Sequence, residues 1–171
     1  MPQASYRHLA QSAIREWISD TQWVNPFAVT LNLKQVIQIE ADHGRVFIHL
    51  DDQKASRNLR YFINKVSRHY LGNTTRRFGS RLPVIPVLEG GKGKRLHFHL
   101  MIDLPPSATI EEVYPLFVTT WMGTQWGYGQ VNIQQRPDGG WLNYITKLRD
   151  KADAGEAIDW TNLYHPSLSA H

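Results

Sequence analysis

The chain contains no cysteine. Disulfide frameworks, thiolate zinc sites, iron–sulfur clusters and cysteine nucleophiles are therefore excluded. No apolar run approaches the length of a membrane span, since even LHFHLMIDLP is broken by two histidines and an aspartate. The N-terminus, MPQASYRHLAQ, lacks the charged start and apolar centre of a secretory signal. No GxxxxGKS/T phosphate loop occurs, which argues against ATP binding of that kind. These absences lead to the expectation of a soluble protein of the cytoplasm. The 171 residues suit one domain, and 42% hydrophobic with 20% charged residues lies in the globular range. We expect that domain over residues 1–155, with 156–171 as a C-terminal tail.

Charge is scarce in one sign over one stretch. The net charge is only +4, but after Asp52 a single acid, Glu89, opposes Arg57, Arg60, Lys65, Arg68, Arg76, Arg77, Arg81, Lys92 and Lys94. Such a run is either a solvated basic face or a surface that neutralises nucleic-acid phosphates. In the second case binding weakens steeply as salt rises.

Periodicity assigns the elements. Tyr6, Leu9, Ala13, Ile14, Trp17 and Ile18 give residues 4–19 a helical stripe. FAVTLNLK (27–34) alternates as a half-buried strand, and 36–39 and 46–50 flank a hairpin turn at 42–44. Residues 53–71 form the strongest helix, with Leu59, Phe62, Ile63, Val66 and Tyr70 on its buried side. The polar stretch 72–82 is expected to be a loop, and 83–89 a short strand that Pro86 makes an edge or an irregular position. A strand over 96–103 follows the glycine-rich turn, then a helix over 109–122, a strand over 128–134 and a helix over 141–151. Strands joined by hairpin-like turns, with helices between, indicate an α+β or α/β fold with a mainly antiparallel sheet.

The strand over 96–103 contains His97-Phe98-His99. Residues two apart on a strand share a face, so both imidazoles project together while Leu96, Phe98, Leu100 and Ile102 line the other side. Two adjacent imidazoles need one or two oxygen ligands to complete a metal site. Glu89, at the end of the preceding strand, lies within reach across the turn. A solvent-facing histidine pair fits the same two residues. Further on, Tyr144 and Lys147 share the last helix, Tyr144 on the seam between an apolar stripe (Trp141, Ile145, Leu148) and a basic one (Lys147, Lys151). A phenol needs help to act as a nucleophile at neutral pH, which a lysine and a metal-polarised electrophile supply. A boundary tyrosine packed on the sheet has the same pattern. Trp121, Trp126 and Tyr128 either pack in the core or stack on unpaired bases.

In order along the chain, Thr30-Leu31-Asn32, Glu89, His97-Phe98-His99 and Tyr144-Ile145-Thr146-Lys147 resemble the signature motifs of HUH endonucleases. Within that superfamily they resemble the rolling-circle replication initiators, or Rep proteins, of plasmids, filamentous phages and single-stranded DNA viruses. The resemblance spans about residues 27–151. It implies a central, mainly antiparallel five-stranded sheet flanked by helices, and metal-dependent nicking and joining of single-stranded DNA through a 5′-phosphotyrosine. Carried over residue by residue, Glu89, His97 and His99 are metal ligands for Mn²⁺ or Mg²⁺, Tyr144 is the nucleophile and Lys147 its assisting lysine. Thr30 and Asn32 belong to the first motif, as structural or DNA-contacting residues. Candidate DNA contacts are Arg57, Arg60, Arg68, Arg76, Arg77, Arg81, Lys92, Lys94 and Lys151. A host helicase and polymerase are the implied partners.

The chain departs from the two-tyrosine pattern, since position 140 is glycine and position 148 leucine. A single-tyrosine transposase of the same superfamily is a rival. Relaxases fit less well, because Glu89 stands where they carry a third histidine. Outside the superfamily, a cupin-like metal protein conflicts with the helices and with Leu104-Pro105-Pro106 after Asp103. A non-catalytic DNA-binding module is the remaining alternative, and it would be indifferent to Tyr144→Phe.

Overall fold

The computed structural model of the chain describes residues 12, 13, 16–18, 20–91, 93–138, 140, 141 and 157–166. The described elements run β1 (Pro26–Leu33), β2 (Val36–Ala41), β3 (Gly44–His49), α1 (Asp52–Leu71), α2 (Thr74–Phe78), β4 (Val84–Gly91), β5 (Lys94–Asp103), α3 (Ile110–Met122) and β6 (Gly127–Gln135). The fold is α+β, as the pattern indicated. Its main sheet has the order β4-β5-β1-β6, with every neighbouring pair antiparallel, and β2–β3 form a separate hairpin.

Among the described residues the main sheet has four strands, against the five expected. Among the described residues, the outer side of β4 is met only by isolated bridges, Val84 to Tyr164 and Val87 to Ile158. Between them Pro86 accepts from Asp159 N at 2.9 Å and has no N–H to return. Pairing there stays a pair of bridges, and Pro86 sits on an edge strand as its chemistry requires.

Alternation gives the sheet two different faces. Phe27, Val29, Leu31 and Leu33 of β1 join Leu96, Phe98, Leu100 and Ile102 of β5 in the main core. Leu59, Phe62, Ile63 and Val66 of α1 and Val113, Phe117 and Trp121 of α3 cover them. Phe62 meets Phe117 and Trp121 edge-on, with ring centroids 5.3 and 5.4 Å apart. On the other face a smaller cluster of Ile18, Ile85 and Met101 is flanked by Trp17, Trp23, Trp141 and Leu163.

Local signals explain most element ends. The Asp51 carboxylate accepts from Lys54 N at 2.8 Å and caps α1, which stops at Gly72 with φ +57°. Thr109 occupies the N-cap of α3, but its side chain makes no capping bond. The stretch 72–82, expected as loop, contains the five-residue helix α2, which buries nothing. Its first turn is held by the Thr74 and Thr75 hydroxyls on the carbonyls of Leu71 and Gly72, and no apolar period announces it. Of the helix expected over 4–19, the described residues 12, 13 and 16–18 are helical. The helix expected over 141–151 lies outside the described residues except for Trp141.

Candidate metal centre

The β4–β5 register places Glu89 directly opposite His97, and the β1–β5 register places Thr30 opposite His99 and Asn32 opposite His97. Gly90 makes the first pairing possible. A Cβ there would stand 2.3 Å from Arg95 O, and its φ is +108°, so only glycine lets the chain turn back this closely after Glu89.

One ligand atom from each of Glu89, His97 and His99 falls within a 4.8 Å cluster. His97 Nε2 and His99 Nε2 are 3.1 Å apart. The Glu89 carboxylate lies 3.7 Å from the first and 3.5 Å from the second. His99 is only 3% exposed, whereas His97 and Glu89 are half-buried and open the site to one side.

One pair of tautomers suits a cation. His97 Nδ1 lies 3.0 Å from Arg95 O. A carbonyl can only accept, so Nδ1 carries the proton and Nε2 of the neutral ring presents a lone pair. His99 Nδ1 lies 3.0 Å from the Thr30 hydroxyl. A hydroxyl can accept from Nδ1–H, which turns the second Nε2 lone pair toward the first. Two lone pairs 3.1 Å apart repel unless a proton or a metal lies between them. Neighbouring ligands around an octahedral ion with bonds of about 2.1 Å stand about 3.0 Å apart, so the two-imidazole, one-carboxylate set fits a divalent ion.

Three other groups brace the centre. Gln35 donates to Leu33 O and Leu96 O and accepts from Leu96 N, at 2.8, 3.1 and 2.9 Å. Its amide thus ties β5 to the end of β1 beside His97. Trp141 packs edge-on against His99, with centroids 5.5 Å apart. Neither role was visible in the sequence: a lone glutamine has no period, and Trp141 read as part of an apolar stripe. Asn32 supports β6, donating to Gln130 O at 3.0 Å, while its own carbonyl accepts from Trp121 Nε1 at 2.7 Å.

Of the remaining expected site residues, those among the described residues are not gathered here. Tyr144, Lys147, Lys151 and Lys92 lie outside the described residues. Lys94 is exposed at the start of β5. Arg57 and Arg60 are on α1, which covers the opposite face of the sheet, beside a cavity of about 510 Å³ against residues 157–161. Arg60 is engaged there by Asn162 Oδ1 and Thr161 O, each at 3.2 Å. Arg68, at the end of α1, Arg76 and Arg77 on α2, and Arg81 before β4 are exposed. Of the three aromatics considered for stacking, Trp121 and Trp126 are core residues, their rings removed from solvent by α1 and the sheet. Tyr128 alone is exposed.

No helix among the described residues is long and apolar enough to cross a membrane. No curated protein and no solved structure matches the chain. The model of one family matches residues 27–153, a span that begins in β1 and takes in Glu89, His97 and His99. By that match the chain belongs to the replication-associated protein ORF2/G2P family.

Proposed function

We propose that this replication protein is an HUH-type endonuclease that nicks and rejoins single-stranded DNA to start rolling-circle replication. The observation that carries this reading is the clustering of Glu89, His97 and His99 in a chain of a replication-associated family. Those three residues would hold Mn²⁺ or Mg²⁺, and an ion bound there supplies Lewis-acid polarisation of the scissile phosphate. Arg95 O and the Thr30 hydroxyl engage the outer ring nitrogens of His97 and His99, which keeps both inner nitrogens turned inward.

Tyr144 is the proposed nucleophile. Trp141, three residues before it in sequence, lies against His99, so the chain leaves the described residues toward Tyr144 beside the centre. The phenol oxygen forms a bond to phosphorus as the bond to the 3′-oxygen breaks, and Lys147 favours the ionised phenol. The products are a 5′-phosphotyrosine on the protein and a free 3′-OH that a polymerase can extend. Attack of a 3′-OH on that ester regenerates the phenol and joins two strands. The phosphotyrosyl bond retains the energy of the original linkage, so no nucleotide cofactor is needed. A host helicase would separate the strands.

The test is covalent trapping on a denaturing gel, with single-stranded oligonucleotides of randomised core, bare and within a hairpin. An adduct is expected with Mn²⁺, and none with EDTA, with Tyr144→Phe or with His97→Ala. A metal-dependent adduct that survives Tyr144→Phe would reject Tyr144 as nucleophile. A chain that binds Mn²⁺ and DNA yet never forms an adduct would return the protein to the class of binding modules.

A further inference from the structure

The face of the sheet that carries the metal centre is unevenly covered. At the β4 side, Ile18, Trp17, Trp23, Trp141 and Leu163 pack over Ile85 and Met101. At the β6 side nothing among the described residues does the same. Asn132 stands opposite Thr30, which stands opposite His99, so the three form a row across β6, β1 and β5. Tyr128, Gln130, Asn132 and Gln134 of β6 are all exposed, and the strand GYGQVNIQQ bears no charge to repel DNA.

At one end of this strip Arg95 and Tyr128 meet. The Arg95 guanidinium lies over the Tyr128 ring, 4.7 Å from its centroid. Arg95 is exposed, and no carboxylate among the described residues pairs with it. Its own carbonyl receives His97 Nδ1–H, and residues 95, 97 and 99 alternate onto one side of β5. Tyr128 is 40% exposed, and its base is fixed. The fixing comes from Gly127, where a Cβ would overlap Trp121 O at 1.8 Å, so β6 starts directly against α3.

We propose that Arg95 and Tyr128 form a subsite for one unpaired nucleotide beside the metal centre, the ring stacking on the base and the guanidinium holding its phosphate. The proposal rests on the nuclease reading and adds to it the point where the strand next to the cut is gripped. A guanidinium stacked on a ring keeps its N–H edge available for a phosphate. Stacking is tolerant of sequence, because every base offers a π face, so the subsite grips without reading.

The experiment measures binding of an oligo(dT) strand of about 20 nucleotides to the full chain in EDTA, where no cleavage intervenes. Tyr128→Leu is expected to weaken binding about 5- to 100-fold, and Tyr128→Phe to stay within about twofold of wild type. Arg95→Gln should flatten the slope of log affinity against log salt by about 0.7, the value of one released phosphate contact on a single strand. Wild-type affinity in Tyr128→Leu, or an unchanged salt slope in Arg95→Gln, overturns the proposal. The same proteins are then given Mn²⁺ and the oligonucleotides of randomised core, bare and within a hairpin. An adduct together with unimpaired Tyr128→Leu binding rejects the subsite alone. No adduct in wild type, with binding still lost in Tyr128→Leu, rejects the nuclease reading and leaves a single-strand subsite.

Discussion

The two sides of β5 are one strand apart in chemistry. Leu96, Phe98, Leu100 and Ile102 face a dry core beneath α1 and α3, while His97 and His99 face a partly open carboxylate and each other. Adjacent residues therefore serve different ends, and damage to them should read out differently. Phe98→Ala removes a fully buried ring from the centre of the packed face and should cost about 3–5 kcal/mol in urea unfolding. His97→Ala removes a half-buried imidazole whose main partners are the other ligands, and should cost about 1 kcal/mol or less. Its loss should appear instead in metal linkage. At 100 times the dissociation constant, Mn²⁺ should stabilise the wild type by about 2.7 kcal/mol and leave His97→Ala unmoved. Equal destabilisation of the two variants, with Mn²⁺ indifferent to both, would erase the distinction between the faces.

A smaller change sharpens the same comparison. Thr30 belongs by position to β1, yet its hydroxyl reaches His99 Nδ1 across the ladder at 3.0 Å. Thr30→Val keeps the shape and deletes the hydrogen bond, so His99 loses the group that orients it. Mn²⁺ affinity should fall about 10- to 100-fold, the usual consequence of losing an outer-shell partner. Thr30→Ser should restore most of it, since the hydroxyl returns. Titration calorimetry on the three proteins decides the matter, and equal affinities would make Thr30 a mere strand residue.

That centre was legible in the sequence because strands impose a period of two. His97-Phe98-His99 with Leu96, Leu100 and Ile102 specified both the packed face and the paired imidazoles, and the nearness of Glu89 followed from a short turn. Isolated polar residues carry no such period. Gln35 clamps Leu96. Asn58, buried on α1, bonds Thr124 and Trp126 N. Asp103 accepts from Val24 N and Asn25 N to close the far end of the sheet. Each depends on which backbone groups the fold leaves open, and that is settled only after the strands have paired. Residues 157–166 carry no clear period, and their contacts with β4 depend on a proline that announces an edge without saying what meets it.

The smallest expected effect concerns a third histidine on the chemical face. His165 is buried beside Trp23, with ring centroids 5.5 Å apart, at the covered end rather than the open one. Burial pushes its pKa below the ordinary histidine value near 6.5, and the Asp103 charge only partly offsets this. The folded state therefore holds the imidazole neutral where the unfolded chain already takes up a proton. Its contribution to stability is present above about pH 6.5 and declines as the pH falls toward the lowered folded value. Below that value both states are protonated and the dependence ends. Urea midpoints of wild type and His165→Asn, compared across this window, should diverge in slope: the wild type loses stability faster on acidification. Parallel pH profiles would mean that His165 titrates as it does in water, and that the covered end admits solvent as freely as the end holding Glu89, His97 and His99.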